Sequence, residues 1–154
     1  MASLEEVRAA LQRYNESYRH PSLRPLALNE IYSLFPNPAS AAPGTLGWPA
    51  IWPGAGDPGV YLIFNAHMKL LYVGTASLNH NLGGRLSAYF QYTKDVSRGC
   101  AVLGTWSEPP AFVITVGVDP DKAFEAPALE EFLITTLQPP DNTRGIRKRS
   151  PTIY

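Results

Sequence analysis

A single cysteine, Cys100, stands among 154 residues. That excludes an internal disulfide framework and any zinc site built on several thiolates. The three histidines, His20, His67 and His80, are scattered, so no histidine-rich metal cluster is visible. Charge is scarce as well: 17% of residues are charged, and thirteen basic and thirteen acidic side chains cancel. This removes the simplest case for a binder driven by overall charge, though it leaves room for a local basic groove. No apolar run approaches the roughly 18 to 20 residues that span a bilayer. The longest, 111–118, is interrupted by Thr115 and Gly117 and reads as a strand. The opening MASLEEVRAAL places glutamates where a secretory leader carries basic residues. The expectation is a soluble, intracellular, cytoplasmic protein without a membrane partner, nuclear if the source is eukaryotic.

Proline is what the chain has in excess. Fifteen residues are proline, about twice the usual share, so a long irregular segment is expected. From Pro36 to Pro58, ten of 23 residues are Pro or Gly and no apolar period survives. The segment nevertheless carries Trp48, Ile51 and Trp52, which a solvated linker does not need; an ordered wrap with docked aromatics is predicted. Before it, Ser3 and Glu6 have the spacing of a helix capping box. Leu4, Val7, Leu11, Tyr14 and Tyr18 then repeat at helical intervals. A second helix is predicted from Pro25 to Phe35, giving a helical hairpin that packs on the main body or, less simply, binds a partner or a second copy.

The regular body begins at Gly59. Alternating residues predict a strand from Gly59, the turn Asn65-Ala66-His67-Met68, and a second strand from Lys69 to Thr75. A helix from about Leu82 to Thr93 follows, capped by Asn79 or Asn81, then a strand over 111–118 and a helix from Pro127 to Leu137 that Pro139 and Pro140 end. The expected class is α+β, with a small, mainly antiparallel three-stranded sheet flanked by helices and an N-terminal helical extension. The expected units are 1–58 (hairpin and wrap), 59–142 (main domain) and 143–154 (basic tail).

Within the predicted hairpin, Gly59-Val60-Tyr61 is followed, after ten intervening residues, by Tyr72-Val73-Gly74. A fixed Gly-x-Tyr, Tyr-x-Gly match of this kind arises by chance roughly two times in a thousand in such a chain. Downstream, NLGGRLSAYF contains Arg85 and Tyr89, and ALEEFLITTLQPPDN contains Glu130 and Asn142. These strings resemble the GIY-YIG nuclease family, with valine for isoleucine in both triplets. Within that family they resemble the catalytic domain of the bacterial excision-repair incision subunit over 59–142. That subunit usually follows its second triplet with lysine, where this chain has Thr75.

The residues carry their own reading beside the resemblance. On an ideal helix with Leu129 at zero, Glu130 falls at about 100°, inside the apolar arc, and Glu131 near 200°, on the polar side. A carboxylate among core-facing residues needs a cation, a metal or a donor. Glu130 is thus either in a buried ion pair with Arg85 or a divalent-metal ligand. Tyr61 and Tyr72 lie on paired strands and supply two hydroxyls, while Arg85 and Tyr89, four residues apart on one helix, point to one side.

The resemblance implies a metal-dependent endonuclease acting on DNA. Glu130 would hold one Mg²⁺ or Mn²⁺, Arg85 would contact the phosphate, and Tyr61 would be the base or water-positioning group. Tyr72 and Tyr89 would orient water and phosphate, Asn142 would brace the helix end or a turn, and Gly59 and Gly74 would permit close backbone approach. A tyrosine with its ordinary pKa near 10 is a poor base at neutral pH unless a cation lowers it. Arg144, Arg147, Lys148 and Arg149 form a basic tail equally compatible with a solvated terminus and with phosphate contacts. The alternative function is a catalytically silent nucleic-acid-binding or protein-interaction module on the same fold.

Overall fold

The computed structural model describes residues 1–35, 46–94 and 99–145. Its first helix, α1 (Leu4–Tyr18), starts as the sequence dictates. Ser3 N donates to Glu6 Oε2 at 2.7 Å, and Glu6 N donates to Ser3 Oγ at 3.3 Å. The stripe of Val7, Ala10, Leu11 and Tyr14 is buried. Tyr14 meets Phe132 with ring centroids 5.3 Å apart, so this part of the stripe packs on the chain's own body.

After α1 the helical hairpin is not formed. Residues 25–31 carry no helix, and Tyr32–Ser33 is a short strand, β1. A second short strand, β2 (Leu46–Gly47), pairs parallel to it. The main strands are β3 (Gly59–Asn65), β4 (Leu70–Ala76) and, after the elements described below, β7 (Pro110–Gly117). All three pair antiparallel around β3. The open edge of β7 explains the missing helix. Asn29 N donates to Thr115 O at 2.9 Å, Tyr32 pairs with Val113, and Leu34 N donates to Ala111 O at 2.9 Å. Extending 29–34 satisfies a bare sheet edge that a helix there would leave unpaired. Tyr32 and Leu34 are both buried, the two-residue period of a strand. The sheet therefore has five strands, in the order β2-β1-β7-β3-β4, rather than three.

Between β4 and β7 the chain forms α2 (Leu82–Ser87) and a separate two-stranded pair, β5 (Phe90–Gln91) with β6 (Ala101–Val102). The helix expected to reach Thr93 stops at Ser87 because Phe90 and Gln91 are taken by β6. Gly83 and Gly84 also weaken its first turn. Asn81 is its cap, with Oδ1 accepting from Gly84 N at 2.8 Å. A 3₁₀ turn (Pro120–Lys122) leads into α3 (Glu125–Leu137).

The two faces of the sheet are covered differently. Val60, Leu62, Phe64, Val73, Ile114 and Val116 pack with the buried faces of α1 and α3. The opposite face, including Tyr61, Ile63 and Val113, packs with α2 and with Tyr32, Trp48 and Trp52 of the N-terminal segment. Trp52 meets Tyr32 at 4.2 Å between centroids. Trp48 and Trp52 are thus docked as expected, but Ile51 is 81% exposed and is not. Residues 36–45 of the wrap lie outside the described residues. No helix among the described residues is long and apolar enough to cross a membrane.

Candidate active site

The register of β3 against β4 explains the paired glycine–tyrosine triplets. Tyr61 lies opposite Gly74 and Ile63 opposite Tyr72, so both tyrosines and Gly74 share one sheet face. A Cβ on Gly74 would sit 2.3 Å from Tyr61 Cζ and 2.4 Å from its hydroxyl oxygen. Gly74 is the floor on which the Tyr61 ring lies. Gly59 is similarly confined, with an added Cβ 2.1 Å from Val116 O across β3 and β7. The close approach expected at these glycines is made by the protein's own ring and backbone.

Tyr89 completes a triangle. Ring centroids are 6.1 Å apart for Tyr61–Tyr72, 6.0 Å for Tyr61–Tyr89 and 6.1 Å for Tyr72–Tyr89. Tyr89 reaches this position from the turn after α2, not from one face of a longer helix. Tyr89 N donates to Leu86 O at 3.0 Å as the helix ends. Tyr89 thus contacts both strand tyrosines, and the charge of Arg85, one turn earlier, also acts on Tyr61. Trp106 closes the cluster edge-on, 6.0 Å from Tyr72 and 5.7 Å from Tyr89, and its Nε1 donates to Leu103 O at 2.9 Å. From the sequence Trp106 reads only as packing; no local pattern signals which rings it meets.

The electrostatics of the cluster are those of donors. Burial pushes the Tyr61 phenol well above its ordinary range. A hydrogen bond with Tyr89 and the neighbouring phenols add to this, and the positive charge of Arg85 offsets part. Tyr72 is raised by burial first, then by hydrogen bonding with Tyr89 and by the charge of Glu130. Both hydroxyls stay protonated at neutral pH in the protein alone. Arg85 is exposed, with Nε donating to Thr75 O at 3.3 Å. Thr75 donates its hydroxyl to Gly59 O at 3.3 Å.

Glu130 and Tyr72 line one cleft of about 550 Å³, together with Glu131, Asn142, Thr143 and Arg144. Glu130 is half-buried, and among the described residues its side chain makes neither a salt bridge nor a hydrogen bond. The ion pair with Arg85 is therefore not formed. Burial raises the Glu130 carboxyl and the more distant charge of Arg85 opposes that. Among the described residues no group of three His, Cys, Asp or Glu converges as a metal cage. One unpartnered carboxylate on an open cleft does not fit zinc, which takes three or four protein ligands. It does fit Mg²⁺, which keeps most of its waters and binds through one or two carboxylates.

Asn142, expected to brace the helix end or a turn, lies in the turn after α3, where its N donates to Pro139 O at 3.3 Å. Its Oδ1 accepts from Val73 N at 2.9 Å and its Nδ2 donates to Val73 O at 2.8 Å. The side-chain amide pairs with the free edge of β4 as a neighbouring strand would, between Tyr72 and Gly74. It ties the turn after α3 to that strand. Of the basic tail, Arg144 borders the cleft and is exposed. Arg147, Lys148 and Arg149 lie outside the described residues.

Comparison with known proteins agrees with this geometry. The family model described as the UvrC-like GIY-YIG domain matches residues 57–143. UvrABC system protein C of Synechococcus sp. (strain JA-3-3Ab) is 37% identical over 86 residues, covering 56% of this chain and 13% of that protein. UvrABC system protein C of Ectopseudomonas mendocina (strain ymp) is 35% identical over 88 residues, covering 57% and 13%. The chain thus spans only about an eighth of the length of these curated relatives. No solved structure matches. With both triplets seated on paired strands and the family match running from 57 to 143, the chain belongs to the UvrC-like GIY-YIG domain family.

Proposed function

We propose that this protein is a metal-dependent endonuclease that hydrolyses phosphodiester bonds in DNA. The observation that carries the reading is an unpartnered, half-buried carboxylate, Glu130, on the same cleft as Tyr72, whose ring belongs to the tyrosine triangle. Glu130 would hold one Mg²⁺ or Mn²⁺, which supplies positive charge to the phosphoryl oxygens and lowers the pKa of bound water. Arg85, exposed beside Tyr61, contributes a second positive charge to a non-bridging phosphate oxygen. The raised phenols of Tyr61 and Tyr72 make these groups hydrogen-bond donors that orient water and phosphate rather than resident bases. Tyr89 and Trp106 hold their rings in place, and Asn142 holds the strand beneath Tyr72.

Residues 59–142 form the nuclease unit in this reading. Residues 1–58 support it, with α1 packed on the Glu130-bearing helix and the tryptophans under the opposite sheet face. Arg144 and the rest of the basic tail add phosphate contacts, and the reaction takes place inside the cell, where its DNA substrate is. One such site cuts one strand, so a double-strand break requires two protomers or two successive nicks.

The test is nicking of supercoiled plasmid in Mg²⁺ and in Mn²⁺, with Glu130→Ala run beside the native chain. Metal-dependent nicking that vanishes in the variant supports the reading. DNA binding without any cutting points to the silent binding module instead. Cutting that survives in the variant removes Glu130 from the metal site.

A further inference from the structure

The turn joining β4 to α2 holds a conformation its sequence does not favour. His80 N donates to Ser77 O at 3.2 Å, and the two residues between them, Leu78 and Asn79, have φ of 52° and 69°. Turns with both central residues at positive φ normally take Asn, Asp or Gly. Leucine there is strained by its Cβ. The fold gets no burial in return, because Leu78 is 86% exposed, the most exposed of the large apolar side chains among the described residues. Its base is nonetheless fixed. Leu82 N donates to Asp57 O and Gly83 N to Ala55 O, both at 2.9 Å, and Asn81 caps α2. Strain maintained by a rigid surround and not repaid by packing is the pattern of a functional site.

Position identifies the task. Thr75 O, three residues before Leu78, accepts from Arg85 Nε. Three residues of chain reach at most about 10 Å; with the 3.3 Å to Arg85 Nε and roughly 5 Å more across the guanidinium to a phosphate oxygen, Leu78 stands within about six base-pair steps, at roughly 3.4 Å each, of a phosphate that Arg85 would hold. Its sequence neighbours Ser77, Asn79, His80 and Asn81 are polar, and the last three are exposed. A protein interface requires a contiguous patch of many residues on each side. A single apolar side chain among polar neighbours is instead what opens a base step.

On the nuclease reading, we propose that Leu78 is a wedge that inserts between stacked bases beside the phosphate held by Arg85, making it a specificity-determining residue for deformable or already distorted duplex. Insertion would favour steps that unstack easily, such as pyrimidine–purine steps or mismatches. Asn79 and His80 present hydrogen-bonding groups to the base edges alongside it.

The test uses the full chain carrying Glu130→Gln, which leaves bound DNA uncut, and duplexes with 2-aminopurine at successive positions around the native chain's cut. With Leu78 present, fluorescence rises severalfold at one step on binding. With Leu78→Asn added, the rise disappears and affinity falls about tenfold. The salt dependence keeps its slope, whereas Arg85→Gln lowers that slope by about one. Because asparagine suits the turn, Leu78→Asn also raises Tm by about 3 °C. Leu78→Met retains the fluorescence rise and the lower Tm. A Leu78→Asn protein that binds and unstacks DNA like its parent overturns the wedge and leaves the nuclease standing. A native chain that neither binds nor cuts DNA overturns both.

Discussion

Replacing Asn142 by alanine tests whether one side-chain amide does the work of a sheet neighbour. The residue makes two hydrogen bonds, 2.9 and 2.8 Å, to the backbone of the fully buried Val73. Alanine removes both and leaves a buried N–H and a buried C=O unpaired, at about 1–3 kcal/mol each. Water entering the vacated space recovers part of this, so the expected loss is about 3 kcal/mol. For a chain of this size that lowers Tm by about 6–12 °C. Urea unfolding followed by tryptophan fluorescence measures it, with an unchanged m-value showing that the native and unfolded states otherwise persist. Asn142→Asp sharpens the test. One carboxylate oxygen can still accept from Val73 N, but the other faces the Val73 carbonyl oxygen, and two acceptors repel. Asn142→Asp is therefore no more stable than Asn142→Ala at pH 7 and gains on it as acid protonates the carboxyl. A loss below 1 kcal/mol for alanine, or an aspartate variant as stable as the native chain at pH 7, refutes the pairing as a stabilising element.

Other predictions follow from single contacts. Gly74→Ala drives a methyl into the Tyr61 ring and costs about 1–3 kcal/mol; a catalytic rate equal to the native chain's would mean that the position of Tyr61 does not matter. Arg19 and Glu125 form a nearly buried salt bridge between the end of α1 and the start of α3. Arg19→Ala should cost about 3–5 kcal/mol by stranding the carboxylate, and Arg19→Met with Glu125→Leu should recover most of it in urea melts. Glu130 has its carboxyl raised by burial, so its contribution to stability is fullest below its unfolded pKa and is lost as pH rises through the folded one. Glu130→Gln therefore stabilises the metal-free protein at pH 7 and removes any Mg²⁺-induced rise in Tm; an unchanged Mg²⁺ shift in the variant places the metal elsewhere. Burial pushes the Cys100 thiol up to about 11. At pH 8 its thiolate fraction is about 200-fold below that of a free cysteine, so alkylation should be slower by at least that factor and should accelerate with pH; a rate matching that of a free thiol refutes its burial.

Local chemistry determined much of this protein. The Ser3–Glu6 cap, the Asn81 cap, the stripe of α1 and the alternation of β3 depend on residues a few positions apart, so they are legible in sequence. The spacing of the two triplets also placed both tyrosines on paired strands, since a tight hairpin leaves little choice of register. Tertiary structure decided wherever a distant backbone had unmet hydrogen bonds. The stretch from Asn29 to Leu34 has helical spacing, yet the open edge of β7, some eighty residues away, draws it into the sheet. The same competition shortened α2, because β6 takes Phe90 and Gln91, and that left Tyr89 on the turn after the helix, where its ring joins the tyrosine triangle. Helical angle alone singled out Glu130 as the carboxylate in need of a partner. Whether Arg85 met it depended on the packing of two separate elements, and the fold keeps them apart, leaving the carboxylate open on the cleft.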